Sequence, residues 1–273
     1  MINITNFCIT LNPEHENLIR KLNYISVGLG QKKFSKESFS DNTGNNISFK
    51  NPYYGEYTFH YWLWKNYINK IETEWIGFCQ YRKFFVKKEI DTTNLSFEEL
   101  KEASISKISH KLKDYDCVLG KKFSVENYKL MKILKNHCTQ FLLNPQTIFL
   151  KKKRTLKFHF NLFHGKENLE KAIELLDSNN KNDFNDFMNS STSFNPHNMF
   201  ICKKKFLKSY YDSVFPWLKK CEEIFGFKEL EGYGMKRIYG FLAERYLSYW
   251  FLKHCSVKEL PIIVKDLTVY NDL

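Results

Sequence analysis

Four residues that could bind an anion, Gln80-Tyr81-Arg82-Lys83, follow directly after the run EWIGFC at 74–79. A nearly continuous apolar run predicts a buried central strand, and ligands of parallel sheets bind beyond the carboxyl ends of such strands. Arginine offers a planar fork of N–H donors that fits phosphate or carboxylate, and lysine adds a point charge. The motif therefore predicts an anion-binding strand end. The alternative is a strand that simply enters solvent.

The rarity of arginine makes its positions informative. Only five of the 42 basic residues are arginine, so much of the net charge of +12 reflects a bias of composition towards lysine. Three of the five, Arg82, Arg237 and Arg245, lie in the densest motifs of the chain. The positive charge is compatible with nucleic acid, an anionic membrane surface or a phosphate-bearing substrate.

A second candidate site is the segment 41–66, DNTGNNISFKNPYYGEYTFHYWLWKN. Its first residues favour turns that leave backbone N–H groups unpaired, and a helix opening near Pro52 follows. A loop leading into a helix N-terminus suits an anionic ligand such as a diphosphate. A solvated loop before a core helix is the alternative, and composition alone favours it.

Acidic residues supply two weaker candidates. Asp114 and Asp116 match the Asp-x-Asp pattern with which many nucleotide-sugar transferases hold a divalent metal. They precede the apolar residues of their strand, however, which places them at its amino end, so a structural role is favoured. Glu244 and Arg245 lie within an aromatic helix, where such a pair is either a structural ion pair or part of a site with a general base.

Histidine and cysteine give no metal signature. His137, His159 and His164 are too irregularly spaced for a metal site, and the seven cysteines are scattered without a Cys-x-x-Cys pair. A reduced, cytosolic protein is expected. Neither a membrane-spanning apolar run nor a secretory signal is evident in the sequence.

Strands that alternate with helices must position these residues. Strands are predicted at 2–10, 24–29, 74–79, 114–120, 197–202 and 257–264. Helices are predicted at 55–70, 96–113, 125–143, 151–176, 203–225 and 234–253, and a mobile loop at 177–195. The alternation predicts an α/β fold with a mainly parallel central sheet flanked by helices. The length of 273 residues suits one domain.

Four blocks together resemble a known family. They are DNTGNNISFKNPYYGEYTFHYWLWKN, IGFCQYRKFF, HNMFICKKKF and YGMKRIYGFLAERYLSYW, in that order. The chain resembles, from about residue 3 to 264, the bacterial domain-of-unknown-function family 4422, which is associated with exopolysaccharide or capsular polysaccharide biosynthesis and is glycosyltransferase-like. The family pattern has a histidine before Tyr-Arg-Arg, where this chain has Gln80 and Lys83. Glutamine cannot titrate, so an acid or base role at this position is in doubt.

The resemblance implies a single GT-A-like, Rossmann-like domain, with a nucleotide-sugar half at about 1–120 and an acceptor half at about 121–273. It implies a catalytic Arg82 that neutralises the leaving diphosphate in place of a metal, and a general base Glu244. Asp114 and Asp116 are the fallback ligands for Mg²⁺ or Mn²⁺, a cofactor that is disfavoured. Asn198 and Met199 would contact the acceptor. Donor binding would fall to Thr10, Asp41, Asn46, Asn51, Glu56, Thr58, Lys65, Tyr81, Lys83, Arg237 and Arg245.

The leading functional hypothesis is an inverting hexosyltransferase. It would move galactose, in pyranose or furanose form, from a UDP-linked donor to a capsular, lipopolysaccharide or exopolysaccharide glycan. The expected partners are a lipid-linked or glycan acceptor and an anionic membrane surface, on which the basic surface would dock at the inner face of the cell membrane. The alternative is a non-catalytic nucleotide- or carbohydrate-binding module on the same fold. Nucleic-acid recognition motifs are absent from the sequence, so nucleic acid is not expected as a partner.

Overall fold

The computed structural model describes residues 1–126, 146, 150–227 and 230–271. Its strands are β1 (Ile2–Thr10), β2 (Ile25–Gly28), β3 (Phe39–Ser40), β4 (Trp75–Gln80), β5 (Lys83–Phe85), β6 (Lys107–Ile108), β7 (Cys117–Gly120), β8 (Phe123–Ser124), β9 (Ser193–Phe194), β10 (Phe200–Lys203), β11 (Val257–Leu260) and β12 (Ile262–Val264). Its α-helices are α1 (His15–Lys21), α2 (Asn51–Tyr54), α3 (Tyr57–Asn66), α4 (Phe97–Ala103), α5 (Leu156–His164), α6 (Asn168–Glu174), α7 (Ser178–Ser190), α8 (Lys204–Phe225), α9 (Gly232–Lys236) and α10 (Ile238–His254).

Ten strands form one mixed sheet, whose main path runs β11-β7-β10-β4-β1-β2-β3. Strand β1 pairs in parallel with β2 and β4, β2 with β3, and β7 with β11. Strand β10 runs antiparallel to both of its neighbours, β4 and β7. The predicted mostly parallel α/β sheet is confirmed, with β10 as the reversed central strand.

Aromatic packing fixes α3 against one face of this sheet. Phe59 meets Phe7 of β1 edge-on at 5.2 Å between ring centres, and His60 lies 4.4 Å from Phe78 of β4. The residues of β4 from Trp75 to Cys79 are all buried, as expected for a central strand of such a sheet. Burial of these large side chains supplies the main stabilisation of the sheet.

The described chain divides into two compact units. The sheet unit comprises Met1–Lys121, His197–Ser213 and Trp250–Leu273, and it holds the ten-stranded sheet. The helical unit comprises Lys122–Pro196 and Val214–Tyr249, and it holds α5, α6, α7, α9 and the β8–β9 pair. The predicted roles of residues 1–120 and 121–273 as donor and acceptor halves stay a prediction.

Two element predictions are corrected. The helix predicted at 96–113 ends at Ala103, because Ser104 takes an extended conformation and the chain then adds β6 to the edge of β1. The segment 177–195, predicted as a mobile loop, contains helix α7. Asp177 caps this helix by accepting from two backbone N–H groups, and Phe184 and Met188 are buried one turn apart. The helix predicted at 125–143 and His137 lie outside the described residues, apart from 125–126.

No helix in the described ranges is both long enough and apolar enough to span a bilayer.

Gly77 in β4 has no room for a side chain. A Cβ there would lie 2.0 Å from Oδ1 of Asn6, which is its register partner on β1. Asn6 cannot move freely, because its Nδ2 donates to the carbonyl of Ile105 at 2.7 Å. We expect Gly77→Ala to lower the free energy of unfolding by about 1–3 kcal/mol in urea titrations. The double variant N6A/G77A should lose less than the sum of the two single changes, and additivity would contradict the proposed clash.

Candidate active site

The carboxyl ends of β1 and β4 form the topological switch point of the sheet. From β1 the chain passes through α1 to β2 on one side, whereas β4 lies on the other side of β1. Connections that leave in opposite directions open a crevice at this edge, where open α/β sheets bind ligands. Thr10 ends β1 and Gln80 ends β4. Because β10 is antiparallel to β4, the residues before Phe200 reach the same edge.

A two-residue turn, Tyr81-Arg82, projects from this edge. It joins β4 to β5, with Gln80 paired to Lys83 across the turn. Arg82 is exposed, and its guanidinium carbon lies 5.7 Å from the ring centre of Tyr81. Among the residues that the structure describes, no hydrogen bond or ion pair occupies the Arg82 side chain. The turn therefore presents an arginine fork to solvent beside the crevice.

Five polar residues meet behind the turn, and we call them the polar cluster: Glu56, Gln80, Lys83, His197 and Asn198. Oε1 of Glu56 accepts from Nε2 of Gln80 at 3.3 Å and from Nδ2 of Asn198 at 3.0 Å. Gln80 Nε2 also donates to the carbonyl of His197 at 3.2 Å. Lys83 Nζ donates to Nδ1 of His197 at 3.0 Å.

The His197-Asn198 dipeptide is strained. Its φ angles are +82° and +52°, in the region that non-glycine residues rarely adopt. Side chains from Glu56, Gln80 and Lys83 hold the dipeptide in place. Such strain persists only where surrounding contacts over-determine it, and it concentrates at functional sites.

Lys83 also sets the tautomer of His197. An ammonium group has only donors, so Nδ1 of His197 must be the acceptor. In the neutral ring the proton then lies on Nε2, which faces away from Lys83 on the imidazole.

Several predicted donor ligands are occupied within the chain. Thr10 is fully buried, and its hydroxyl lies 2.9 Å from Nδ1 of His15 and accepts from the backbone of Asn12 at 3.1 Å. Thr58 donates to the carbonyl of Gly55 at 3.0 Å and accepts from Asn51 at 3.3 Å. The polar groups of Thr10, Asn51 and Thr58 therefore bind other residues of the chain, and they support the carboxyl edge of the sheet from within.

The 41–46 loop is pinned to α3. Asn66 accepts from the backbone of Asn45 at 3.0 Å and donates to its carbonyl at 2.8 Å, and Trp62 donates to Thr43 at 3.0 Å. Asn46 accepts from both the backbone and the hydroxyl of Ser48. These hydrogen bonds hold the loop in one conformation within the sheet unit.

Asp41 directly follows β3 and is only 2% exposed. Burial raises the pKa of its carboxyl, and a hydrogen bond with Thr58 acts in the opposite direction. On the surface of α3, Lys65 Nζ lies 3.3 Å from the ring centre of Trp64. Met199, predicted to contact an acceptor, is 1% exposed and packs in the core.

Asp114 and Asp116 lie at the opposite edge, where β7 begins. Asp116 Oδ1 pairs with Lys203 at 3.1 Å, and Oδ2 accepts from the backbone of Ser256 at 3.2 Å. Those contacts give Asp116 a structural role in tying β7 to β10 and β11. Within residues 1–126, 150–227 and 230–271, no group of three potential metal ligands occurs.

Glu244, Arg245 and Arg237 belong to the helical unit. The carboxylate of Glu244 is 2.6 Å from Nη1 of Arg245, whose side chain is 2% exposed and lies 3.6 Å from the ring centre of Phe194. Nη2 of Arg245 lies 3.4 Å from His159. Arg237 lies 5.6 Å from the Tyr233 ring. The predicted base is thus held by an ion pair with a buried arginine.

Sequence reasoning did not select His15 or His197. His197 had one detectable signal, since it opens the block HNMFICKKKF beside the chosen Asn198. His15 had none, because Tyr81 and Thr268, which it contacts besides Thr10, are distant in the chain.

Comparisons with known proteins identify the fold and the family of the chain. No curated protein matches the chain. The WbbM bifunctional glycosyltransferase in its apo form aligns with a TM-score of 0.71 at 19% identity, over 96% of this chain and 45% of that one. The chain therefore spans less than half the length of that protein.

Two further structures align with lower TM-scores, at 12% identity each. Core-mannan synthase A from Aspergillus fumigatus, in its Mn/GDP form, gives 0.34 over 92% of this chain and 70% of that one. The mannosyltransferase Ktr4p from S. cerevisiae gives 0.30 over 89% and 62%.

The likeness to WbbM gives the chain a glycosyltransferase-like fold. The family model described as domain of unknown function (DUF4422) matches residues 14–255, which is most of the sequence. The chain belongs to the DUF4422 family.

Proposed function

We propose that the chain is a glycosyltransferase that moves a sugar from a nucleotide-sugar donor to a glycan acceptor. The observation that carries the proposal is the exposed Arg82 turn at the switch point of a glycosyltransferase-like sheet. A diphosphate leaving group needs cationic or N–H stabilisation, and an arginine fork supplies both. We further propose a UDP-linked donor, with galactose in pyranose or furanose form as the transferred sugar.

The proposed reaction is a single displacement. The acceptor hydroxyl attacks the anomeric carbon as the bond from that carbon to the diphosphate oxygen breaks, and the bonding electrons leave with the diphosphate. Arg82 and Lys83 stabilise the charge that develops there, and a general base takes the proton of the hydroxyl. We propose Glu244 for that role from the resemblance of the chain to its family, not from its position relative to Arg82. One displacement inverts the anomeric configuration.

A divalent metal often neutralises a leaving diphosphate, but the described side chains at this edge do not fit a metal site. Glu56 is the carboxylate of the polar cluster, and its Oε1 accepts from two amides. Oxygen-rich ligand sets are what Mg²⁺ and Mn²⁺ require. We therefore derive no step through a metal.

The acceptor in this proposal is a growing, lipid-linked capsular, lipopolysaccharide or exopolysaccharide glycan. The protein would act in the cytoplasm, with its lysine-rich surface docked on anionic lipid at the inner face of the membrane.

A thermal-shift panel of UDP, GDP, CMP and UDP-sugars, each with Mn²⁺ and with EDTA, tests the proposal. A ligand that binds only the folded chain raises the melting temperature. A UDP-selective rise that survives EDTA supports a metal-independent transferase. A rise that needs Mn²⁺ argues against Arg82 as the group that replaces a metal at the diphosphate. No rise with any nucleotide contradicts the proposed donor class.

A non-catalytic binding module is the second candidate, and Gln80 favours it. Its amide is used to hold Glu56 and His197, and it cannot exchange a proton at neutral pH.

Glu244→Gln separates the enzyme from the binding module. Glutamine keeps an oxygen that can accept from Arg245, so the fold should survive, but it cannot take a proton. We expect the transfer rate to fall by about 100-fold or more with donor affinity unchanged. Glu223→Gln, an exposed change on α8, is the matched control. Full turnover in E244Q would refute the base assignment, and absence of turnover in the wild type would favour the module.

A further inference from the structure

His15 joins two distant parts of the sheet unit. It opens α1 directly after the switch point and is only 1% exposed. Its Nδ1 lies 2.9 Å from the hydroxyl of Thr10, and its Nε2 lies 3.0 Å from the hydroxyl of Thr268, near the end of the described chain. Burial lowers the pKa of His15, so the ring is neutral at pH 7 and has one donor and one acceptor for these two hydroxyls.

The Tyr81-Arg82 turn rests on this histidine. The rings of His15 and Tyr81 stack with centres 4.9 Å apart and planes 24° apart. The Tyr81 ring in turn contacts the guanidinium of Arg82. A displacement of His15 would therefore remove the support on which the arginine lies.

The C-terminal segment holds the same turn through its backbone. The N–H of Lys265 donates to the carbonyl of Arg82 at 3.0 Å, and the N–H of Leu267 donates to the carbonyl of Tyr81 at 3.1 Å. Both carbonyls of the turn are thus bound by one segment. Thr268, the next residue along, is the one that binds His15.

We propose that His15 and Thr268 are positioning residues that, together with the backbone of Lys265 and Leu267, fix the Arg82 turn for binding the β-phosphate of a nucleoside diphosphate. The proposal rests on the proposed function, because it takes Arg82 to be the diphosphate ligand. A guanidinium held in place before the ligand arrives loses less conformational freedom on binding, so preorganisation appears as affinity for that one phosphate.

Binding of four nucleotides tests the proposal. Dissociation constants of UDP, GDP, UMP and GMP are measured by calorimetry for the wild type, Thr268→Val and His15→Phe. Thr268 is exposed, so its valine variant should fold, and phenylalanine keeps a ring that can stack on Tyr81. We expect the diphosphate dissociation constants to rise by about 3- to 10-fold, the usual effect of a lost hydrogen bond, with those of the monophosphates nearly unchanged.

Thr73→Val is the matched control. It removes a threonine hydroxyl that lies 2.6 Å from the hydroxyl of Thr5, and it does so at the opposite edge of the same sheet. It should leave the preference for diphosphate intact. In an Arg82→Ala background, Thr268→Val should weaken diphosphate binding no further, since the group that it positions is gone.

Two outcomes would overturn the positioning role. Equal weakening of monophosphates and diphosphates would indicate general structural damage, and full additivity with R82A would show that Thr268 does not act through Arg82. Hydrogen exchange at the amides of Lys265 and Leu267 needs no nucleotide. Faster exchange in T268V and H15F supports the positioning network, and unchanged exchange contradicts it. A wild type that binds no diphosphate while T268V shows faster exchange would refute the proposed function alone.

Discussion

Replacing Arg82 with alanine should lower the rate constant of sugar transfer by about 100- to 1,000-fold, the usual cost of removing one preorganised donor from a developing anion. The guanidinium is exposed at the switch point, beside the ring of Tyr81. Its stabilisation should increase as the leaving diphosphate gains charge, so kcat should fall more than donor affinity. Initial rates with the donor identified by thermal shift measure the effect.

Arg82→Lys refines the same test. Lysine keeps the charge but loses the planar fork, so its rate should fall between those of the wild type and R82A. Arg20→Ala is the control, because Arg20 is 40% exposed and pairs with Glu37 on the surface at 3.1 Å. Surface pairs of this kind contribute little. Wild-type kcat in R82A would show that the turn does not touch the leaving group.

The strand that carries this arginine could be predicted because its signal is local. The EWIGFC run specifies a strand buried on both faces, and the scarcity of arginine singles out Arg82. Helix α7 was missed for the opposite reason. Only two of its large apolar residues are buried, and the cap at Asp177 is hidden in a run of asparagine and serine.

The polar cluster could not be predicted because it depends on the direction of β10. Periodicity shows that 200–203 is a strand but not that it runs antiparallel to β4. That reversal places His197 and Asn198 beside Gln80, 117 and 118 positions away. His15 and Thr268 are even farther apart in the sequence. They meet because the segment 265–268 runs along the Tyr81-Arg82 turn.

Acidification should unfold the protein steeply, because several histidines stay neutral in the folded chain, and three of them have strongly lowered pKa values. Burial lowers the pKa of His60 to about 3 and, with the nearby Arg245, lowers that of His159 to about 2 and that of His164 to about 3. The unfolded chain takes up these protons as pH falls below 6.5, whereas the folded chain does not until about pH 3. The contribution of these histidines to the free energy of unfolding is therefore fully present above pH 6.5 and is lost as the pH falls below that value.

The expected size of this effect is large compared with ordinary stability. At pH 5 each histidine costs about 2 kcal/mol, so three cost about 6 kcal/mol, against a typical total of about 5–15 kcal/mol. Asp41 opposes the trend, since its raised pKa lets the folded state bind a proton first. Free energies of unfolding from urea titrations between pH 7.5 and 4.5 measure the slope.

His60 allows the source of the slope to be identified. Its Nδ1 lies 2.6 Å from the hydroxyl of Tyr211, and its ring is enclosed by Phe78 and Phe200. His60→Phe should therefore fold, and it should reduce the pH dependence by about 2 kcal/mol at pH 5 whatever it does to stability at pH 7.5. His110→Gln is the matched control, since His110 is exposed. An unchanged slope in H60F would mean that carboxylates, which lose their own partners on protonation, dominate the acid response.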